Sequence, residues 1–266
     1  MFDALGVEAK TGWRVVARRV LASTNDAAAA LAEAGPVDRV VVVADQQTEG
    51  RGRGGSRFVS PPGGLYASLL LRVPSDGLPA LLVAAVGVAL ADAVEALVAS
   101  EVRIKWPNDL WVGGKKAAGI LVETAGSPDR GSPDRPATVP VVVGIGVNLT
   151  AIPEGLPPDV VEGTTALDAH AATPVSRERL LLELLPRVDR RIGGLTDPSA
   201  RLALEADFRA RMALLGERVC CLVGDSVRRG VLRDVSLDRG LEIEDAGGAR
   251  SWLPMAHARE LRRDGP

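Results

Sequence analysis

The sequence predicts an α+β protein in which a large domain of strands and helices precedes a small β-barrel. The chain has 266 residues, which exceeds the usual size of one domain. Strand-like runs and longer helix-like runs follow one another as far as Gly216. Beyond Gly216 only short alternating strands and tight turns remain. We therefore place the domain boundary there and expect domains at residues 1–216 and 217–266.

The first hundred residues are predicted to form three strands and two helices. Ser23 and the three polar residues after it offer N-cap side chains for an alanine-rich helix that ends near Gly35. Residues 78–100 predict the main core helix, and residues 50–64 predict a long glycine- and proline-rich loop. The strands are expected at residues 14–20, 37–44 and 65–73.

The middle of the chain predicts an antiparallel meander. The turn residues 107–109 separate two short strands, and Gly113-Gly114 precedes a third. The repeat SPDRGSPDRP (127–136) has no hydrophobic face and predicts a surface loop. The three strands of the meander are expected at residues 102–106, 110–112 and 117–122, and a further strand is expected after the loop at 139–147. Two helices are expected at 176–192 and 198–215, and the barrel strands at 219–223, 227–234, 241–244 and 250–253.

Composition excludes several classes of function. A net charge of −2 and a pI of about 5.8 provide no overall basic field for sequence-independent nucleic-acid binding. Two histidines and the adjacent pair Cys220-Cys221 provide neither a structural zinc site nor a disulfide framework. The amino terminus lacks the apolar run of a signal peptide, and the apolar stretch 78–90 is too short for a bilayer span. We expect a soluble, cytoplasmic protein.

Lysine is rare in this chain and is concentrated in one segment. Only four lysines occur against 28 arginines, and three of them lie within KWPNDLWVGGKK (105–116). A compact ammonium on a flexible stem can follow a moving phosphate or carboxylate, which a planar guanidinium cannot do. Lys105, Asn108 and Asp109 together suit phosphate oxygens and a magnesium ion. The alternative is chance clustering on a solvated turn.

The segment QQTEGRGRGG (46–55) admits several interpretations. Its glycines match the dinucleotide-binding pattern G-x-G-x-x-G, but residues 56–64 (SRFVSPPGG) cannot form the helix that this pattern requires. An RNA-binding RGG segment is normally long and repeated, and a plain surface loop is also open. In the remaining interpretation, backbone N–H groups close around an anion while Arg51 and Arg53 supply charge. Phe58 then offers an apolar edge for a ring, or packs as an ordinary core residue.

Two strand positions complete the candidate site. Small residues at 117–119 leave room for a flat ligand, although Gly119 is equally compatible with a strand kink. Asn148, at the end of a buried strand, offers both a donor and an acceptor.

Taken together, five sequence blocks resemble the biotin protein ligases over roughly residues 13–260. They occur in the family's order and spacing: STN (23–25), QTEGRGR (47–53), KWPNDL (105–110), KKAAGILVE (115–123) and GIGVNL (144–149). The resemblance implies a class II synthetase-like catalytic domain with a mixed sheet flanked by helices, and a carboxy-terminal SH3-like β-barrel. It also implies an ATP-dependent ligase that converts biotin to biotinyl-5′-AMP, releases pyrophosphate and transfers biotin to a carrier-protein lysine.

The resemblance also assigns residues. Positions expected to bind biotin are Ser23, Thr24, Asn25, Gln47, Gly50, Arg51, Gly52, Arg53, Lys116 and Gly119. Positions expected to bind ATP are Arg53, Phe58, Lys105, Trp106, Asn108 and Asn148, with Asp109 as the Mg²⁺ ligand. Charge developing in the reaction would be countered by the catalytic residues Lys116, Arg51 and Arg53. No internal covalent nucleophile is needed.

Some features depart from the family pattern or stay open. Ser56 and Phe58 stand where many relatives carry Arg and Trp, so looser adenylate packing is expected. The segment before Arg14 is too short for the helix-turn-helix of repressor-type members, so DNA binding is not expected. The implied partner is the biotin carboxyl carrier domain of acyl-CoA or pyruvate carboxylases, and a homodimer is open. The alternatives are a lipoate or octanoate transferase on the same fold, and a non-catalytic biotin sensor.

Overall fold

Two β-sheets organise the chain. The computed structural model describes residues 2–74, 79–128, 137–152, 154–254 and 257–265. The larger sheet has seven strands in the order β1-β2-β3-β7-β6-β5-β4, with β1 and β2 parallel and every other neighbouring pair antiparallel. Its strands are β1 (Arg14–Leu21), β2 (Val40–Gln47), β3 (Gly64–Pro74), β4 (Val102–Lys105), β5 (Asp109–Val112), β6 (Lys115–Thr124) and β7 (Thr138–Asn148).

Helices cover both faces of the larger sheet. Val41 and Val43 of β2 point into the main core, whereas Val40 and Val42 point to a smaller cluster that includes Ala28. Successive strand residues face opposite sides, so one apolar strand supplies both faces. The helix α2 (Thr24–Ala34) covers the second face, and α3 (Pro79–Glu95) and α5 (Arg177–Gly193) lie in the main core. The other α-helices of the described residues are α1 (Ala4–Thr11), α4 (Pro158–Glu162) and α6 (Pro198–Ala210).

The carboxy-terminal sheet has five antiparallel strands in the order β11-β10-β9-β8-β12. Its core side chains, such as Leu232 and Leu241, belong to the same buried cluster as Phe208 of α6. A domain boundary near residue 216 stays a prediction, because the hydrophobic core continues across it. The strands are β8 (Arg218–Val223), β9 (Ser226–Ser236), β10 (Gly240–Glu244), β11 (Arg250–Leu253) and β12 (Ala258–Arg263).

The predicted order of strands and helices agrees with the structure, with several differences. The last core helix ends at Ala210 rather than at residue 215, because Met212 pairs with Ile104 beside β4 and the Ala213 amide donates to Ile104 O at 2.8 Å. The α-helices α1 and α4 and the strand β12 were not predicted. Residue 78 of the predicted core helix and residues 129–136 of the predicted surface loop lie outside the described residues. Within the described part, no helix is long and apolar enough to cross a membrane.

Candidate functional site

One cavity of about 650 Å³ collects nearly all of the predicted site residues. Its walls come from the start of α2, the loop at residues 50–58 (the glycine-arginine loop), the β4–β5 turn, the centres of β6 and β7, and the start of β12. The predicted residues that line it are Ser23, Thr24, Asn25, Gln47, Arg51, Gly52, Arg53, Phe58, Lys105, Trp106, Asn108, Asp109, Lys116 and Gly119. Segments far apart in the sequence therefore meet at one place.

The amino-terminal end of α2 forms a polar corner of this cavity. Ser23 is the N-cap, and its hydroxyl accepts from the Asp26 amide at 3.4 Å. The Thr24 amide and hydroxyl both donate to Gln47 Oε1, at 2.7 and 3.0 Å. The side-chain Nε2 of Gln47 in turn donates to Ser60 Oγ at 2.9 Å. This chain of bonds fixes the orientation of each amide and hydroxyl in a buried setting.

Asn25 is held in the same corner by two neighbours. Its Nδ2 donates to Glu123 Oε2 at 2.5 Å, and its Oδ1 accepts from Ser68 Oγ at 2.6 Å. A Cβ atom at Gly144 would lie 2.4 Å from Asn25 Oδ1, so only glycine fits opposite this amide. Ser68 is completely buried. Ser68 was not predicted as a site residue, although a serine inside the apolar strand LYASLLLRV is a detectable signal.

The glycine-arginine loop folds back on itself next to the polar corner. The Phe58 amide donates to Gly50 O at 2.8 Å, and the Gly52 amide donates to Ser56 O at 2.7 Å. Gly50 therefore shapes the loop but does not line the cavity. The Phe58 ring lies so close to β7 that a Cβ atom at Gly146 would be 2.5 Å from it.

The arginines of the loop have different surroundings. Arg51 makes a two-pronged pair with Asp26, at 2.8 and 2.5 Å, and lies 3.8 Å from Glu123 Oε2. The hydrogen bonds with Arg51 hold the pKa of Asp26 below its usual value, and those with Asp26 raise the pKa of Arg51. Arg53 is exposed overall, but partial desolvation of its guanidinium, assisted by the nearby positive charge of Arg259, lowers its pKa. The positive charge of Arg51 is thus compensated by the Asp26 carboxylate, whereas Arg53 lies near a second positive charge, that of Arg259.

The lysine-rich segment forms the opposite wall. Lys116 Nζ lies 2.7 Å from Asp109 Oδ1. Asn108 is fixed to the neighbouring strand, because its side-chain Nδ2 donates to Ile120 O at 2.7 Å and its backbone carbonyl accepts from the Ile120 amide at 2.9 Å. Burial lowers the pKa of Lys105, an effect that the Asp109 carboxylate opposes. This wall therefore presents two ammonium groups around one carboxylate.

Trp106 lines the cavity but is completely buried, and its ring N–H donates to Ala258 O of β12 at 3.2 Å. Arg259 and Glu260, which follow Ala258, also line the cavity. Neither residue was predicted to belong to the site, because no strand was predicted at β12. The carboxy-terminal sheet is thus part of the site wall.

A second, smaller cavity of about 130 Å³ adjoins the first. Phe58 and Lys116 line both. Asn148 lines only the smaller one, where its Nδ2 donates to Thr165 O at 3.1 Å. Apolar walls come from Leu156 and from Val160 of α4. The smaller cavity suits a flat ring with a polar edge.

The comparisons with known proteins agree with this arrangement. Residues 16–132 match the model of the Biotin/lipoate A/B protein ligase family. The chain is 36% identical over 253 residues to a biotin–[acetyl-CoA-carboxylase] ligase of Mycobacterium tuberculosis, covering 91% of this chain and 87% of that protein. A ligase of the same name from Paracoccus denitrificans is 33% identical over 81% of this chain and 88% of its own length. The fold matches a biotin protein ligase from Aquifex aeolicus in complex with biotin and ATP, with a TM-score of 0.78, 26% identity, and coverage of 94% of this chain and 99% of that one.

Proposed function

This chain belongs to the biotin protein ligase family, and we propose that its larger cavity is where biotin and ATP condense. As a member of that family, the protein is an ATP-dependent ligase. It activates biotin to biotinyl-5′-AMP, with release of pyrophosphate, and transfers the biotinyl group to a carrier lysine of a carboxylase. The observation that carries the proposal is that one cavity joins a fixed polar corner to a wall of cations.

The polar corner suits the buried end of biotin. A ureido group presents one carbonyl acceptor and two N–H donors, so it needs donors and acceptors in fixed positions. Ser23, Thr24, Asn25 and Gln47 supply both kinds. The Thr24–Gln47 bonds, and the bonds of Asn25 with Glu123 and of Ser23 with the Asp26 amide, hold the groups before the ligand arrives. We assign this corner to the ring system of biotin. Gly119 on β6 leaves room beside it, because a Cβ atom there would have its nearest neighbour at 3.6 Å.

The cationic wall suits the condensation itself. A carboxylate oxygen of biotin attacks the α-phosphorus of ATP, the bond from that phosphorus to the bridging oxygen breaks, and pyrophosphate leaves. Like charges meet in this step, so nearby cations lower its barrier. We assign Lys116 to the carboxylate and α-phosphate, and Arg53 and Lys105 to the phosphates. The neutral carrier amine then attacks the acyl carbon of the adenylate, and AMP leaves.

Mg²⁺ fits this wall as part of a metal–nucleotide complex. The described residues contain no group of three His, Cys, Asp or Glu side chains that could hold a metal ion. Mg²⁺ often uses one or two carboxylates together with substrate phosphates, and Asp109 supplies one carboxylate within the cavity. Bound Mg²⁺ would neutralise phosphate charge. Asp109 would have to share its oxygens between that ion and Lys116.

The smaller cavity is our candidate for the adenine ring. Phe58 offers a ring face or edge, and Asn148 offers an amide. Lys116 lies between the two cavities, where the α-phosphate must be when biotin and adenine occupy them. Trp106 has its only side-chain donor paired with Ala258 O, so we propose that it supports the β4–β5 turn and acts on ATP through Lys105 and Asn108.

Other expectations extend beyond the shared fold. We propose that the carboxy-terminal sheet is an SH3-like barrel, that the larger domain is of the class II synthetase type, and that the barrel end of the site receives the carrier domain. A homodimer, a cytoplasmic location and the lack of DNA binding stay predictions.

The decisive experiment supplies the purified protein with ATP, Mg²⁺ and labelled biotin, with and without a biotin carboxyl carrier domain. We expect pyrophosphate in both samples, and label on the carrier lysine only when the carrier is present. Calorimetry with biotin and then octanoate tests the transferase alternative. A protein that binds biotin but produces neither pyrophosphate nor AMP would instead be a sensor.

A further inference from the structure

Asp26 was predicted only as a candidate helix cap and not as a site residue. It lies in the first turn of α2, directly after the residues of the polar corner. Both of its carboxylate oxygens accept from Arg51, at 2.8 and 2.5 Å. A two-pronged pair of this kind fixes the direction of a guanidinium as well as its distance. The helix dipole also favours a carboxylate at this position.

Through Asp26 and Glu123, Arg51 connects its loop to both α2 and β6. Arg51 belongs to the glycine-arginine loop, Asp26 to α2, and Glu123, which lies 3.8 Å from Arg51, to β6. Glu123 Oε2 also accepts from Asn25 Nδ2. The base of the loop is tied nearby, since the Glu49 amide donates to Ala22 O at 2.9 Å. The carboxylates of α2 and β6 therefore hold the loop arginine next to the polar corner.

We propose that Asp26 is a positioning residue, which fastens the glycine-arginine loop over the biotin end of the cavity by holding Arg51. This role rests on the proposed function of the cavity. A glycine-rich loop has many accessible backbone conformations, so one directed ion pair restricts it appreciably. Loss of the pair raises the open fraction of the loop, and an open loop lets biotin and its adenylate escape.

The first test measures escape of the adenylate. The protein is loaded with labelled biotin and ATP, excess unlabelled biotin is added, and release of labelled biotinyl-5′-AMP is followed in the absence of carrier. Asp26→Asn should release it about three to ten times faster, the scale of losing one exposed charged pair. Asp26→Glu should restore release to within about twofold of the parent. The KM for biotin of Asp26→Asn should rise by more than kcat falls.

The second test needs no substrate. Arg51, Arg53 and Arg57 are exposed, so trypsin reports how often the loop opens. Asp26→Asn should be cleaved faster in this loop than the parent and Asp26→Glu. Glu33→Gln is the matched control, because it removes one exposed negative charge from the same helix and should change neither measurement.

The outcomes separate two failures. Unchanged cleavage, or faster cleavage with unchanged adenylate release, overturns the role of Asp26. Slower release also overturns it, because Asp26 would then compete with the ligand for Arg51. If the unmodified protein makes no adenylate, the proposed function fails, while the trypsin result still shows by itself whether Asp26 fastens the loop.

Discussion

Replacing Gly144 by alanine should disturb the polar corner without changing any charge. The new Cβ atom would lie 2.4 Å from Asn25 Oδ1, and 3.1 Å from Asn25 Nδ2. Ordinary contact begins near 3.4 Å, so the amide must move by about 1 Å. β7 is hydrogen-bonded to both β3 and β6 along its length, and the strand therefore cannot yield easily. Asn25 is the group that has to move.

The magnitude follows from the bonds that Asn25 would lose. Its hydrogen bond from Ser68 is worth about 1 kcal/mol, and the bond to the Glu123 carboxylate about 1.5 to 3 kcal/mol. Partial loss of both amounts to about 1 to 3 kcal/mol. If the ureido group of biotin needs this amide in place, the Kd for biotin rises roughly 5- to 150-fold.

Calorimetric titration with biotin, together with thermal unfolding, measures these effects. Gly87→Ala is the matched control. Gly87 lies inside α3, and a Cβ atom there would contact only the side chains of Ile104 and Ile120, at 3.8 and 3.9 Å. The control should keep the biotin Kd and should be at least as stable, because alanine favours a helix.

A double-mutant comparison tests the stated cause. If the clash with Asn25 is responsible, Gly144→Ala should weaken biotin binding little further in a background that already carries Asn25→Ala. A Kd for Gly144→Ala within twofold of the parent would refute the reasoning. Fully additive effects would show that the added methyl group acts elsewhere.

Three further predictions follow from the site and its surroundings. Lys116→Ala should slow adenylate formation, measured as pyrophosphate release, by at least about two orders of magnitude, whereas Lys115→Ala should have little effect; near-normal release by the first variant would contradict its role. Trp106→Phe removes the donor to Ala258 O and should lower the free energy of unfolding by about 1 to 3 kcal/mol in urea titrations. Burial raises the pKa of Tyr66 from 10.0 to about 12, so its stabilising contribution is complete below pH 10 and is lost as the pH rises towards 12. The stability difference between the parent and Tyr66→Phe should therefore shrink over that range, and a constant difference would count against it.

Local features of the fold were predictable from the residues alone. Ser23, one of the four consecutive cap candidates, caps α2, and such a cap is predictable because an N-cap bond reaches only three residues along the chain. The turn at residues 107–109 and the glycines at 113 and 114 predicted the meander, since each joins neighbouring strands. The two short elements α1 and α4 carry few buried side chains, and β12 reads ARELRR, whose charges hide its two buried positions. Their apolar pattern was too weak to detect.

The candidate site was predictable in its membership but not in its contacts. Motif chemistry and resemblance named fourteen residues that line one cavity. Neither could show that Arg51 is held by Asp26, or that Asn25 is held by Glu123 across 98 residues of chain. Such pairs depend on which strands are neighbours and in what register, and a periodic pattern does not contain that information.

The amino-acid sequence by itself thus determined the class of chemistry, because glycines, arginines and lysines at fixed spacing limit what a loop and a turn can bind. Only the tertiary structure decided which side chains form hydrogen bonds or ion pairs with one another before any ligand binds. Trp106 illustrates the division: its motif predicts a nucleotide contact, whereas folding brings Ala258 to its ring nitrogen from 152 positions away. A buried donor must be hydrogen-bonded, and the acceptors within hydrogen-bonding distance of it are determined by the packing of the whole chain.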